Sequence, residues 1–589
     1  MGPILYLPTL RYGFVWDDNR LIVNNQNLAE SSPFDVFFRN FWFNPSLGSD
    51  PGDMTYYRPL SNLSFVLERR EYGLEPFGYH LTNVLLHAGV AMMAALVFLE
   101  LLGSPILAAA GALVIGIHPA TNCIPAFVSG RPYLLVTLML LVSFYALVRG
   151  SRGPGLPVST GAGSRTVSRV KAGAAKQRAD GRPWLWLFGA SFLLALFSLE
   201  SGLAFVVVVG VWLATFTTSE ARRASTSKSS VLNWVWAGLG AIVVYLVFRL
   251  WVAKTGFPSA VGTWAIQEPL RILGCLGHQT WLFFYPFNPK VIYVLSQEFQ
   301  GFSANSLLGL AFLILPIATA LVLRSQAALL GAVWALAFML PSAHLLFLGP
   351  SGRSLYLAGF GWVLFVLALV RRARGPGLIL RVVAITLYVG YTVAFAIQLL
   401  RRNPIWQSEE TLYQAMVTEA PESAGAHLNL GAVWEKSGRL EEARRHYEIA
   451  VALDPDYLAP RNRLAFALVQ AGDYKAAVRE FNEIVRRAPS ADAYNNLALT
   501  LRLAGQVDSA ITVYRAALRV APSSDTTWNN LGWAYLANSD LPAAITAFRQ
   551  ALSLDPGFLA ARASLAQAFR AAGLEDSARL VEEGLAGAR

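Results

Sequence analysis

Residues 528–556 read WNNLGWAYLANSDLPAAITAFRQALSLDP, and this stretch decides the fold of the last third of the chain. Its first half carries two aromatics around a Leu-Gly pair, and its second half carries an aromatic between alanines: Trp528, Leu531, Gly532, Tyr535, Ala544, Phe548 and Ala551. Small residues let two consecutive helices approach closely, and the proline at the end stops the second helix. The stretch therefore predicts a pair of packed helices.

The same pattern recurs with a constant period. Prolines recur at intervals of 34, 34, 33 and 34 residues, and a glycine or serine keeps the same rhythm: Pro421, Pro455, Pro489, Pro522 and Pro556, with Gly438, Gly472, Gly505, Ser539 and Gly573. This period and these marks are the signature of the tetratricopeptide repeat (TPR). We expect five helix pairs over 423–589, joined to the rest by a half-repeat at 401–422. Such arrays usually present a groove that binds a protein or peptide, and a rigid spacer or an oligomerisation surface is the alternative.

The first 400 residues are a different kind of sequence. Of the 589 residues, 54% are hydrophobic and only 14% are charged, whereas a soluble domain carries about 25% charged residues. Long apolar windows over 1–400 predict an all-α, multi-span membrane domain with about eleven spans, counting a short N-terminal segment. They are 80–102, 106–117, 133–148, 184–199, 202–216, 231–252, 307–323, 327–348, 355–370 and 382–400. Prolines interrupt the segment 270–303, which we expect to be re-entrant or to lie on the surface, with a true span as the alternative.

The net charge of +11 comes mostly from basic residues between apolar windows. That placement is typical of cytoplasmic loops and excludes a nucleic-acid surface. The basic loops at 149–182, 222–228 and 371–381 place the N-terminus in the cytoplasm, and the loop 17–79 and the repeat array outside. Two cysteines make neither a disulfide framework nor a metal site.

Candidate chemistry lies at the outer ends of the predicted spans. Asp17 and Asp18 follow an aromatic stretch, and such a carboxylate can accept a proton from a hydroxyl, although a solvated pair is the alternative. Arg58, Arg131 and Arg353 lie on the same predicted side and can bind a phosphate together, although contact with lipid headgroups is the alternative. Ionisable groups that face one compartment favour a site; the supporting residues are Tyr57, His80, His118, Glu200 and Tyr356.

The order of motifs resembles the transmembrane and tetratricopeptide repeat-containing protein family. The motifs are Phe14-Val15-Trp16-Asp17-Asp18, Tyr57-Arg58-Pro59-Leu60, Gly78-Tyr79-His80 through His87, His118-Pro119, Gly130-Arg131, Leu199-Glu200-Ser201-Gly202 and Arg353-Ser354-Leu355-Tyr356-Leu357, followed by the repeats. The resemblance implies a GT-C type membrane fold and an O-mannosyltransferase that uses dolichyl-phosphate mannose. It also implies that Gln267–Pro289 is part of that family's conserved domain of unknown function.

The resemblance further implies roles for the candidate residues. Asp17 or Asp18 would be the general base, and an acceptor Ser or Thr hydroxyl would attack the anomeric carbon of a polyprenyl-phosphate sugar. Arginines would hold the leaving lipid phosphate, so that no metal or other cofactor is obligatory, and the lipid-linked sugar would be the donor substrate. The chain departs from the family pattern where Cys123, Tyr133, Leu199 and Gly352 replace charged residues. These departures leave open which sugar is used and whether activity is retained.

The sequence thus favours a membrane glycosyltransferase that modifies Ser or Thr of proteins bound in the TPR groove. The alternative is a non-enzymatic membrane scaffold whose repeats gather envelope proteins. High Ala, Gly and Arg content favours a bacterial member of the family, located in the inner membrane with its repeats in the periplasm or outside the cell.

Overall fold

A computed structural model describes residues 2–38, 57–152, 182–220, 228–253, 269–287, 289–293, 303–341, 352–373 and 377–586. Within these ranges every regular element is a helix, which confirms the all-α prediction. The chain divides into two compact units, Met1–Ala420 and Pro421–Arg589. The helix Glu409–Glu419, in the predicted junction, belongs to the first unit.

The first unit is a multi-pass membrane domain. Among its described residues, six helices are long and apolar enough to cross a membrane: Pro76–Leu102, Val128–Ser151, Val231–Val252, Ala304–Val322, Arg353–Arg372 and Leu378–Trp406. A seventh crossing is available if Pro105–Ile117 and Pro119–Ala126, which meet at a bend of 46°, form one broken span. Helices suit a membrane because they satisfy their own backbone hydrogen bonds.

The number of long spans is smaller than the sequence predicts. Three apolar helices contain fewer than 18 residues: Arg182–Ser198, Glu200–Thr215 and Gln326–Met339. The N-terminal segment is a ten-residue 3-10 helix, Gly2–Arg11. Pro269–Phe284 has 16 residues and is not among the long apolar helices, and its re-entrant or surface position stays a prediction. Most of the basic loops on which the predicted orientation depends lie outside the described residues.

Glycines allow the helix that carries Arg353 to pack closely on its neighbour. A Cβ atom at Gly331 would lie 2.5 Å from the Phe365 nitrogen, and a Cβ atom at Gly361 would lie 2.4 Å from the Ala335 nitrogen. The helices Gln326–Met339 and Arg353–Arg372 therefore touch backbone to backbone. Close approach through small residues is the usual way in which membrane helices associate. The contact fixes the helix at whose N-terminus Arg353 lies.

The second unit consists of ten described helices in five pairs, which confirms the TPR array. The aromatics Tyr447, Phe481, Tyr514 and Phe548 each lie at most 1% exposed in the second helix of their pairs. A Cβ atom at Gly532 would lie 2.6 Å from the Phe548 ring, which explains the small residue in the first helix. The helices are Ala424–Lys436, Leu440–Leu453, Leu458–Gln470, Tyr474–Arg487, Ala491–Leu503, Val507–Val520, Asp525–Ala537, Leu541–Leu554, Leu559–Ala571 and Glu575–Ala586.

The turns inside the pairs require a left-handed backbone. Gly438, Gly472, Gly505 and Gly573 have φ between +73° and +78°, and Ser539 has φ of +60° at the matching place. Glycine adopts this region without a steric penalty, whereas a residue with a Cβ atom is strained there. The periodic glycines are thus the turn signals of the array, and Ser539 is its one strained turn among the described pairs.

Candidate active site

Asp18 holds a strained turn that follows the N-terminal 3-10 helix. Trp16 has φ of +52°, a region that bulky residues rarely adopt. One oxygen of the Asp18 carboxylate accepts a hydrogen bond from the Val15 backbone N–H at 3.2 Å. The other accepts from the Ser129 backbone N–H at 2.7 Å and from the Ser129 hydroxyl. Such strain costs about 1–3 kcal/mol and concentrates at functional sites.

The environment of Asp18 changes its acidity. The side chain is fully buried, and this burial raises the pKa of its carboxyl to about 7. The hydrogen bonds from Ser129 and Val15 oppose the increase, and the charge of Asp17 adds to it. Asp18 therefore changes its charge near neutral pH, where acid–base groups of enzymes usually operate.

Asp17 lies in a more open environment. Its carboxylate is 3.2 Å from the Arg353 guanidinium, and the two side chains are 33% and 23% exposed. An ion pair that reaches solvent is typically worth only about 0–1 kcal/mol, so it opens readily. Asp17 is therefore the carboxylate that a substrate can reach, while Asp18 holds the backbone behind it. The structure brings Asp17 and Arg353 into a direct ion pair, whereas the sequence reasoning expects the two to face one cavity on either side of a bound sugar.

A second cluster joins Arg58 and Glu200 to an arginine that the sequence analysis missed. The Glu200 carboxylate lies 3.3 Å from Arg58 and 3.8 Å from Arg249, whose side chain is 1% exposed. Arg249 also donates a hydrogen bond to the Tyr245 hydroxyl at 3.1 Å. The sequence did contain a signal for Arg249, because it is a single arginine near the end of the apolar window 231–252. A charged residue in such a window usually has a function.

Arg131 does not lie in a phosphate-binding cavity, and this part of the prediction is wrong in the present arrangement. The residue is fully buried and forms an ion pair with Glu68. It also donates to the Asn83 side chain at 2.9 Å and to the Tyr79 carbonyl at 2.8 Å. A phosphate cannot reach a guanidinium group that is enclosed in this way. Arg131 instead joins the helices Pro59–Tyr72 and Pro76–Leu102 behind the Asp18 turn, two residues after Ser129.

The predicted supporting residues make separate structural contacts. The Tyr57 hydroxyl donates to the Phe37 carbonyl at 3.0 Å, and the rings of His80 and His118 lie 3.4 Å and 2.9 Å from the carbonyls of Gly13 and Phe283. The Tyr356 hydroxyl lies 2.7 Å from Nδ1 of His87, a buried residue that was not singled out. Of this set, Glu200 is the one that forms an ion pair with a predicted arginine, Arg58, among the contacts of the described residues.

Two of the four departures from the family pattern contact each other. A Cβ atom at Gly352 would lie 2.0 Å from the Ala120 carbonyl oxygen and 2.9 Å from Sγ of Cys123. No side chain fits at residue 352 unless this backbone moves. Gly352 and Cys123 therefore depend on each other sterically, because a larger side chain at either residue would collide with the other. Both residues lie close to Arg353 in the chain or in space.

Known proteins resemble both parts of the chain. Three sequence models of the tetratricopeptide repeat match it, over residues 489–556, over 436–499, and over 408–457 with 529–589. Among solved structures, the MamA protein matches with 22% identity, covering 28% of this chain and 90% of that chain at a TM-score of 0.26. YrrB, a TPR protein with an unusual peptide-binding site, matches with 19% identity, 29% and 88% coverage, and a TM-score of 0.25.

Curated relatives extend the likeness beyond the repeats. Protein O-mannosyl-transferase TMTC2 of Mus musculus is 35% identical over 150 residues, which are 25% of this chain and 18% of that protein. Protein O-mannosyl-transferase Tmtc3 of Drosophila melanogaster is 25% identical over 573 residues, or 83% of this chain and 57% of that protein. The aligned regions span less than two thirds of the length of these relatives. Over these regions the chain is similar to the TMTC protein O-mannosyl-transferases, and its C-terminal part carries tetratricopeptide repeats.

Proposed function

We propose that this protein is a membrane glycosyltransferase that moves a sugar from a polyprenyl-phosphate donor to Ser or Thr hydroxyls of proteins. The observation that carries the proposal is the unequal pair of carboxylates at the strained turn. Asp17 is reachable and adjoins a cation, whereas Asp18 is buried and fixes the backbone. Homology to proteins named O-mannosyl-transferases supports this class of reaction, and it favours mannose as the sugar.

Asp17 is the general base in this mechanism. The acceptor hydroxyl oxygen attacks the anomeric carbon of the sugar, and its proton passes to the Asp17 carboxylate. A new bond forms between this oxygen and the anomeric carbon while the bond from that carbon to the donor phosphate breaks. The lipid phosphate leaves with the bonding electrons. Asp18 acts as a positioning residue, because its ionised form accepts the hydrogen bonds that hold the turn.

The leaving phosphate needs positive charge beside it. Arg353 pairs with Asp17 at rest, and its guanidinium group can form the same charge-assisted, bidentate hydrogen bonds to a phosphate, so the donor phosphate competes with Asp17 for it. Arrival of the donor therefore moves Arg353 from Asp17 to the phosphate and frees the base. Arg58 and Arg249 both pair with Glu200, and they supply further positive charge.

The repeat array presents the acceptor protein in its groove. We place the array and the carboxylates on the outer side of the membrane, with the N-terminus in the cytoplasm, and a bacterial inner membrane would make that side the periplasm. A reporter active only outside the cytoplasm should work after Arg589 and fail near Lys171. The opposite pattern would reject this orientation.

A transfer assay with purified protein tests the proposal. Labelled polyprenyl-phosphate mannose and a Ser/Thr-rich peptide should give labelled peptide with the native protein. Asp17→Asn should reduce the rate by about 10²–10⁴-fold, the usual contribution of a general base. Glu71→Gln, which changes an exposed carboxylate on the helix Pro59–Tyr72, is the matched control and should retain the native rate. Native activity in a variant with both Asp17→Asn and Asp18→Asn would favour the scaffold instead.

A further inference from the structure

The segment that follows the last long apolar helix is tied to the N-terminal part of the chain. This junction segment, residues 403–419, contains the 3-10 helix Asn403–Trp406 and the helix Glu409–Glu419, and it belongs to the first compact unit. Three hydrogen bonds join it to the N-terminal residues: from Nδ2 of Asn403 to the Leu5 carbonyl at 3.0 Å, from the Gly13 N–H to the Gln407 carbonyl at 3.1 Å, and from Nδ2 of Asn19 to Oε1 of Glu409 at 2.7 Å.

Two of these hydrogen bonds lie on either side of the strained turn that carries the carboxylates. Gly13 precedes Trp16 by three residues, and Asn19 follows it by three. A strained residue persists only where the surrounding structure holds it in place. Asp18 holds the turn from one side through Ser129. The two contacts to the junction segment hold the turn at both of its ends.

The contact of Glu409 lies at an unusual backbone element. Asn19 is the first residue of a π-helix, Asn19–Val23, which begins directly after the two carboxylates. Elements of this kind are rare and often occur at functional sites. A capping box formed by Ser408 and Thr411 orders the start of the helix that carries Glu409. An ordered helix end therefore presents the Glu409 carboxylate to Asn19.

The same helix brings a second side chain near the carboxylates. Tyr413, one turn after Glu409, is buried. Burial raises the pKa of its phenol above the usual value, and the negative charges of Glu409, Asp17 and Asp18 raise it further. Tyr413 therefore lies within electrostatic reach of both aspartates, which places this face of the junction helix beside the strained turn.

We propose that Glu409 is a positioning residue that holds the Asp17 carboxylate in place for sugar transfer. Its hydrogen bond from Asn19 fixes the end of the strained turn, so that Asp17 keeps its position relative to Arg353. The inference rests on the proposed function and deepens it, because it makes the junction segment a part of the site as well as the connection to the repeats. Loss of the contact lets the turn relax, and a displacement of about 1 Å can lower a rate by about 10²-fold.

Substitution of Glu409 in the full-length protein in detergent tests the proposal. Glu409→Ala removes the acceptor and should lower kcat by about 10–100-fold, with little change in KM for the donor, because Glu409 acts through the turn. Glu409→Gln keeps an oxygen that accepts from Asn19, so it should recover most of the lost rate. Glu410→Ala removes the neighbouring carboxylate, whose described contact is to Gln414, and this control should keep the native rate.

A double-mutant cycle assigns the effect to the contact itself. Asn19→Ala should lower kcat as Glu409→Ala does, and it serves as the test if Glu409→Ala does not fold. The double variant should be no slower than the slower single variant, because both changes remove the same hydrogen bond. Losses that multiply in the double variant would contradict the assignment.

Hydrogen–deuterium exchange distinguishes this proposal from the proposed function. The backbone N–H groups of Asp18 and Asn19 donate to the carbonyls of Val15 and Trp16 at 3.0 Å and 3.2 Å. Both should exchange about tenfold faster in Glu409→Ala than in the native protein or in Glu410→Ala. If the native protein transfers no sugar but shows this change, the proposed function fails and the contact stands. Native exchange in Glu409→Ala, or a rate in Glu409→Gln as low as in Glu409→Ala, would overturn the proposal.

Discussion

Substitution of Ser129 should shift the pH dependence of transfer. The ionised Asp18 carboxylate accepts hydrogen bonds from the Ser129 hydroxyl, the Ser129 N–H and the Val15 N–H, while burial holds its pKa at about 7. Protonation removes the negative charge on which these contacts depend. Activity should therefore be lost as the pH falls through about 7 and be retained at higher pH.

The hydroxyl of Ser129 stabilises the ionised form, so Ser129→Ala should raise the pKa of Asp18 further. A hydrogen bond to a charged group is worth about 1.5–3 kcal/mol, and one pKa unit corresponds to about 1.4 kcal/mol. The acidic limb of the rate profile should thus move upward by about one to two pH units. The backbone N–H of residue 129 still donates to Asp18 in this variant, so a shift of one to two pH units is the largest that we expect.

The assay is the rate of sugar transfer at saturating donor between about pH 5 and pH 9. Ser151→Ala is the control, because the described contacts of the Ser151 hydroxyl are to the Val148 carbonyl and the Trp212 indole N–H. Asp18→Asn, which cannot ionise, should have low activity at every pH, like the protonated native form. A limb that stays in place in Ser129→Ala, or moves to lower pH, would refute the role given to Asp18.

Three further outcomes concern stability and folding. Arg131→Met should lower the stability of the membrane domain by about 3–5 kcal/mol, since it leaves buried Glu68 unpaired; a stable variant that has lost only donor binding would restore Arg131 to the phosphate site. Ser539→Gly should raise the thermal midpoint of the fragment 421–589 by roughly 2–4 °C through relief of about 1 kcal/mol of backbone strain, whereas Gly505→Ala should lower it. The fragment itself should be soluble and helical, because stacked repeats bury their own core; absence of a helical circular dichroism signal would contradict the assignment.

The repeat array was predictable because its signals are local. The 34-residue period, the turn glycines and the helix-ending prolines each act within one helix pair, so the pattern fixes the architecture. The strain at Ser539 was not apparent, since the sequence shows only that a serine fills a glycine position. Membrane spans were harder to count because short apolar helices such as Gln326–Met339 resemble part of a span.

The candidate site was predictable only in part. The sequence reasoning grouped Asp17 with Arg353, but it expected a sugar between them rather than an ion pair, and it could not separate an accessible arginine from a buried one. Arg131 is buried because Glu68, which lies on another helix, faces it, and no local pattern shows which side of an apolar helix faces a neighbour.

The most direct test of the central claim is a comparison of glycosylation in cells. Mass spectrometry would map hexose on Ser and Thr of proteins outside the cytoplasm in cells that make the native chain, the Asp17→Asn variant at the same level, or neither. The account predicts a set of modified sites that is present with the native chain and absent from the other two. The same sites at native occupancy with Asp17→Asn would contradict it.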